Sequence, residues 1–182
     1  MPKVFVAGSR NITRLNAGIC AKLDEMARRR ATFLIGDANG ADKAVQAHLA
    51  SAGYSDVIVY HVGRCRNNLG SWPVRVIETA GGESGFAFYA AKDAAMAKDA
   101  DCGFMLWDEK SKGTFNNIET LARLGKKTLV YVSPRKAFYT LASKKDLDEF
   151  LRLFSAPMIA ELREQIRGRL AGTAQGKLIP AG

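Results

Sequence analysis

Five short apolar runs, separated by stretches of helical periodicity, constrain this chain more than any other feature. They are Lys3–Ala7 (KVFVA), Thr32–Ile35 (TFLI), Val57–Tyr60 (VIVY), Cys102–Trp107 (CGFMLW) and Thr128–Val132 (TLVYV). Each has the length of a buried strand and falls short of a buried helix. Between them apolar residues recur at helical spacing: Ile19, Leu23 and Met26 within 15–30, Val45 and Leu49 within 41–52, Ala95 and Met96 within 89–100, Ile118, Leu121 and Leu124 within 113–124. Strands that alternate with helices imply a parallel sheet, because each crossover helix must bury its apolar stripe on a sheet face. The expected fold is α/β: a three-layer αβα sandwich on a mainly parallel sheet of five or more strands.

Beyond Pro134 the pattern changes to two helices, 144–154 and 157–170. The chain therefore divides into a sheet domain over 1–134 and a helical extension over 135–182, ending in the tail AGTAQGKLIPAG. The stripe Ile159, Leu162, Ile166 and Leu170 either packs on the domain or forms a homodimer interface. One connection, 61–88, is long for a compact domain, which marks a lid or binding loop. It carries Arg64, Arg66, Trp72, Gly81, Gly82 and Gly85, and its stretch Val74–Ile77 reads as a short strand.

Ligands of open parallel sheets bind beyond the carboxyl ends of the strands. Three loops leave those ends with anion-binding chemistry. In the first, Gly8 admits close backbone approach, while Ser9 and Arg10 can hydrogen-bond a phosphate. In the second, Gly36 and Gly40 shape a turn that opens a helix whose first turn holds Asp42 and Lys43. In the third, Lys112, Gly113 and Thr114 open another helix. Free N–H groups and the helix dipole favour an anion at such starts. A formal net charge of +9 suits the same partners. Asp42 either favours its own helix dipole or accepts hydrogen bonds from a ribose. Asp37 would repel a phosphate unless it points away or binds a hydroxyl or metal.

Several classes are excluded. The loop from Gly36 to Gly40 lacks the spacing of a Walker A motif, and no G-x-G-x-x-G occurs. His48 and His61 form no metal pair, so no metal site is expected, and His61 is a candidate ligand contact. Cys20, Cys65 and Cys102 fit neither a zinc ribbon nor a disulfide framework. Cys65, between Arg64 and Arg66, is the one thiol whose neighbours could stabilise a thiolate. No apolar run reaches the ~18 residues of a membrane span, and no signal peptide is apparent, so the expected location is the cytoplasm.

The ordered motifs VAGSR, GDANGADKAV, KDAAMAKDADCGFMLW and KGTFNNIE resemble the SLOG superfamily over about Lys3–Ser133. That superfamily includes the Lonely Guy phosphoribohydrolases and the DNA-processing protein A family, and the pattern here most resembles its YspA/YpsA-like branch. The resemblance implies a Rossmann-like domain that binds nucleotides or their derivatives, assembled as a homodimer or larger. Where Lonely Guy enzymes have Arg-Lys-x-x-Met, this chain has Lys92-Asp93-Ala94-Ala95-Met96, so the catalytic arginine position holds Lys92. Where they have Gly-Thr-x-x-Glu, the glutamate position holds Asn117. Glu119, two residues on, lies about 200° around the helix. An amide hydrogen-bonds a ribose or phosphate but is no general base.

The leading expectation is a protein that binds a nucleotide or nucleotide-derived phosphate as a sensor, carrier or regulatory module, with no cofactor required. Arg64, Arg66 and Trp72 would close over the ligand, the indole stacking on a base or anchoring the loop in the core. The alternative is a nucleotide N-glycosidic hydrolase that draws on Lys92 and a carboxylate from Asp37, Asp42, Asp93, Asp108 or Glu119, with Asp108 best placed by topology. Single-stranded nucleic acid is a third expected partner, favoured by charge but lacking an aromatic array.

Overall fold

A computed structural model describes residues 1–79 and 85–171. Gly81 and Gly82 of the long connection, and the tail from 172 onward, lie outside the described residues. The strands are β1 (Lys3–Gly8), β2 (Thr32–Gly36), β3 (Val57–His61), β4 (Val74–Val76), β5 (Cys102–Trp107), β6 (Thr128–Val132) and β7 (Ala137–Leu141). The helices are α1 (Ala17–Arg28), α2 (Ala41–Ser51), α3 (Gly85–Asp99), α4 (Lys112–Arg123), α5 (Lys144–Leu151) and α6 (Ala156–Ala171). Among the described residues all seven strands join one sheet in the order β4-β3-β2-β1-β5-β6-β7. Every neighbouring pair is parallel except β6 and β7. The helices cover both faces, so the expected α/β sandwich is what the chain forms.

The sheet does not end at 134. Pro134 lies in a single 3₁₀ turn, Ser133–Arg135, and Lys136 takes a left-handed φ of 51°. The chain thereby reverses into β7, whose AFYTL pairs antiparallel along the whole of β6. Proline ended β6 as expected, and the turn that holds it begins a hairpin. Ile159, Leu162 and Ile166 of α6, with Phe150 and Phe154, pack in the same core as Phe5, Trp107 and Phe115. The stripe thus packs on the domain over those three positions, while Leu170 is 42% exposed. The long connection also breaks up: β4 occupies part of it, and α3 begins at Gly85.

The strand order creates the crevice. From β1 the chain steps outward through β2 and β3 to β4, then α3 carries it back to β5 on the other side of β1. The loops after β1 and β5 therefore diverge, which leaves a gap at their carboxyl ends. The end of α3 is held by Lys126, whose Nζ donates to the carbonyls of Ala97, Lys98 and Ala100 at 2.7, 2.7 and 2.6 Å. A cation there satisfies orphan carbonyls and complements the dipole. Lys126→Met is expected to lower stability by about 2 kcal/mol, because charge-assisted bonds are lost and carbonyls left unpaired. A melt should read this as a fall of about 4–8 °C; an unchanged melting temperature would refute the capping role.

Candidate functional site

A cleft of about 500 Å³ opens at the divergence of β1 and β5. The first loop contributes Gly8, Ser9, Arg10 and Asn11, and the third contributes Lys110 to Thr114. Helix α3 lends Phe86, Tyr89, Lys92 and Asp93, α4 adds Asn116 and Asn117, and α6 adds Arg169. From the second loop region only Ala38 and Asp42 reach it, and Arg66 arrives from the long connection.

One wall is the start of α4. Ser111 caps the helix by accepting from Thr114 N at 3.4 Å, and Thr114 Oγ1 donates to Ser111 Oγ at 3.0 Å. The N–H groups of Lys112 and Gly113 have no partner among the described residues, as expected in a first helical turn. A Cβ on Gly113 would meet nothing within 4 Å, so open space lies before it. The Lys112 side chain has no ion-pair partner among the described residues.

The floor is a buried charge cluster. Lys92 Nζ contacts Asp93 Oδ1 at 2.6 Å, and Asn117 Nδ2 donates to Asp93 Oδ2 at 3.0 Å. Asp42 lies alongside, its Oδ2 accepting from Ala38 N at 3.2 Å. Lys92, Asp42 and Asn117 are 4%, 5% and 3% exposed. Burial pushes the Asp42 carboxyl up to about 6, against the pull of the Lys92 ammonium and with help from the Asp93 charge. Burial also disfavours the charged Lys92, but Asp93 and Asp42 outweigh it and hold the ammonium above its ordinary value. Gly36 makes room for all this. A Cβ there would lie 2.5 Å from Asp42 Oδ2 and 2.7 Å from Lys92 Nζ.

The mouth is built around Tyr89. The guanidinium of Arg66 lies 4.6 Å from its ring centroid and that of Arg10 5.7 Å. Arg66 is fixed by a fork onto Asp37, with Nε 2.9 Å from Oδ2 and Nη2 2.6 Å from Oδ1. Burial opposes ionisation of Asp37, yet these bonds hold its carboxyl below the usual range. Asp37 is not among the residues that line the cleft, and its bonds to Arg66 make it a brace for the long connection. Gln46 braces the same segment, since its Nε2 donates to the carbonyls of Gly36 and Asn67 and its Oε1 accepts from Leu69 N.

Several expected site residues stand elsewhere or are already engaged. Trp72 is buried in the core beside Phe33 and Val59, and its Nε1 donates to Tyr54 O at 2.8 Å, so it anchors the loop and cannot stack on a ligand in the cleft. Arg64 and Lys43 are exposed and line no part of the cleft. Gly8 lines it, but a Cβ there would collide with Ala41 and Leu106, so its smallness serves packing. Gly40 has φ +84° and lies against the Arg10 backbone, joining two loops. Ser9 Oγ donates to Asp108 Oδ2 at 2.7 Å. Asp108 also accepts from Asn11 Nδ2, Lys110 N and Ser111 N. Burial opposes its charge, but these bonds depress its pKa, which suits a loop organiser better than a base. Glu119 pairs with Arg163 of α6 at 2.7 Å. Cys65 gains no thiolate character: burial and Asp37 push its thiol up. His61 Nδ1 lies 2.9 Å from Gly63 O, away from the cleft lining.

The sequence reading missed Tyr89, Phe86, Asn11 and Arg169, and it did not join Asp93 to Asn117. The spacing of Tyr89 from Lys92, three residues on one helix, was the available signal.

Among the described residues no helix is long and apolar enough to cross a membrane. No family model matches the chain, and no curated protein does. Among solved structures, DNA processing protein A from Helicobacter pylori, which binds single-stranded DNA, is similar with a TM-score of 0.56. The match covers 92% of this chain and 81% of that one at 14% identity. At that identity the two chains are alike in fold, and the crevice at the β1–β5 divergence is a property of this chain's own residues.

Proposed function

We propose that the cleft binds a nucleotide or nucleotide-derived phosphate. The observation that carries this reading is the pairing of an open, cation-flanked helix start with a buried polar floor in one cleft. A phosphate would take the free N–H groups of Lys112 and Gly113, with the Lys112 ammonium and Arg10 beside it. The sugar would lie over Asp42, Lys92 and Asn117, and Tyr89 with Phe86 would offer apolar surface to a base. The resemblance to the SLOG superfamily supports the same ligand class. A hydrolytic version of this reading falls to Asp42 and Asp93, since Asp108 and Glu119 are engaged elsewhere.

Native mass spectrometry of the purified protein, followed by calorimetric titration with a panel of nucleoside monophosphates, tests the reading. Binding is expected, and Lys112→Ala with Arg10→Ala should weaken it about tenfold or more, as loss of charge-assisted bonds does. Absence of binding by every nucleotide would sink the reading.

A second reading is single-stranded DNA along the same edge. It is favoured by the similar fold of a protein that binds such DNA and by Arg10, Lys110, Lys112 and Arg169 lining one cleft. It requires affinity for an oligonucleotide that falls steeply with salt. Salt-insensitive binding of a mononucleotide would count against it.

A further inference from the structure

The end of the molecule remote from the cleft carries uncommitted positive charge. Lys3 pairs with Thr32, Val4 with Cys102, Gly103 with Thr128 and Thr128 with Leu141. The amino ends of β1, β2, β5 and β6 and the carboxyl end of β7 therefore lie at one level. From β2 to β7 that row is about 20 Å wide at ordinary strand spacing. Helices α1 and α3, packed on opposite faces, finish beside it. Exposed there are Lys3, Arg28, Arg30, Lys98, Lys127 and Lys144. None of them forms an ion pair among the described residues, whereas Glu25 is taken by Lys22 and Arg29. Of the other acids nearby, Asp101 accepts from Lys3 N at 2.7 Å and Asp146 from Ala142 N at 2.8 Å, and Asp56 stands at the β3 margin. Helix dipoles account for part of the cluster, since Arg28 and Lys98 sit in last turns, where a cation is favoured. They do not account for Lys3 and Lys127 at strand starts, nor for Lys144 in the first turn of α5, where the dipole opposes it.

We infer that this end is a docking surface for an anionic membrane: the cations meet acidic headgroups, and Leu124 enters the interface between them. Leu124, at the end of α4, is 50% exposed. Lys126, two residues on, reaches the carbonyls of Ala97 and Lys98, which sets Leu124 among these cations. Cations drawn from both helix layers and from the sheet between them form a broad face. A broad basic face with an apolar side chain within it matches a lipid surface better than the narrow phosphate track of a nucleic acid. Tyr54, beside Arg30, offers bases no stacking platform, because its hydroxyl donates to Ala31 O and its ring packs edge-on to Phe33. Docking by this end leaves the cleft, at the opposite edge of the sheet, open to the aqueous side. The inference is independent of the nucleotide reading.

The test is co-sedimentation of the full chain with vesicles of phosphatidylcholine, alone and with about 30% phosphatidylserine. Partition into the mixed vesicles is expected, with little into the neutral ones, and it should fall steeply as salt rises. Arg30→Gln with Lys127→Gln should lower the partition coefficient about tenfold or more, since each cation near such a surface contributes about fivefold. Leu124→Ser should lower it severalfold at unchanged net charge. All three positions are exposed, and an unchanged melting temperature shows that the variants fold. No binding to the mixed vesicles, equal binding to both kinds, or full retention by the double variant would each overturn the inference. A double variant that loses affinity for a DNA duplex but not for vesicles would assign the surface to nucleic acid and overturn it too. The wild-type comparison of the two vesicle kinds stands without the variants.

Discussion

Lys92→Met is expected to destabilise the protein by about 3–5 kcal/mol at neutral pH, the usual consequence of removing one partner from a buried ion pair. The side chain is 5% exposed, against 17% for its partner Asp93, so solvent screens the pair poorly. Methionine has comparable length but leaves Asp42 and Asp93 with no cation between them. Asn117 would still bond Asp93, but an amide does not balance a second carboxylate. Urea denaturation at pH 7 measures the effect through the shift in midpoint. A loss below about 1 kcal/mol, the range of exposed pairs, would mean that Asp42 is already neutral or that water reaches the cluster. The same variant should lose ligand affinity, because its missing donors face the cleft.

The second large effect is a dependence of stability on pH that runs opposite to ordinary acid denaturation. Asp42 is held near pKa 6 in the folded chain, against about 3.9 for a free aspartate. A folded-state pKa raised above the unfolded one favours the folded state fully at low pH, and that advantage is lost as pH rises through the folded value. Stability is therefore expected to fall by roughly 2–2.5 kcal/mol between pH 4 and pH 7 on account of this one group. The depressed carboxyls, Asp37 and Asp108, act in the other direction, but their stabilisation fades only as pH drops below about 4. The two windows separate. Urea titrations at half-unit intervals should show the decline in the wild type and its absence in Asp42→Asn, which also should be the more stable form at pH 7. Parallel curves for the two proteins would show that Asp42 ionises normally.

These effects centre on residues that the sequence names but does not connect. Asp42 reads as a dipole-favouring acid or a ribose contact, and neither reading says that it is buried beside a cation. Its burial follows from α3 crossing over β2 towards β1, which brings Lys92 from fifty positions away to the space above Gly36. Gly36 reads as a loop glycine for phosphate, whereas its role is to leave room for two charged groups. Asp37 has no role in the sequence because its partner, Arg66, is 29 residues distant in a segment without periodicity. Trp72 is a case in which the sequence left two readings open. A tryptophan among arginines on a long loop is either a stacking platform or a core anchor, and its donor and large apolar body are both satisfied in the core.

What the sequence by itself determined is the layered architecture and the sheet edge at which the cleft opens. Strand-length apolar runs and helical stripes are local signals, and parallel pairing follows once they alternate. The start of α4 at Lys112–Thr114 was legible for the same reason, since a cap and a first turn are built from adjacent residues. The tertiary structure alone decided which of the candidate loops face one cleft, which acids are buried and which cations are neutralised. Those properties belong to pairs such as Asp42 with Lys92, Asp37 with Arg66 and Glu119 with Arg163, distant in sequence and joined only when the sheet forms. Ionisation and hydrogen bonding act over a few ångströms of space, and chain distance carries no record of which groups will share it.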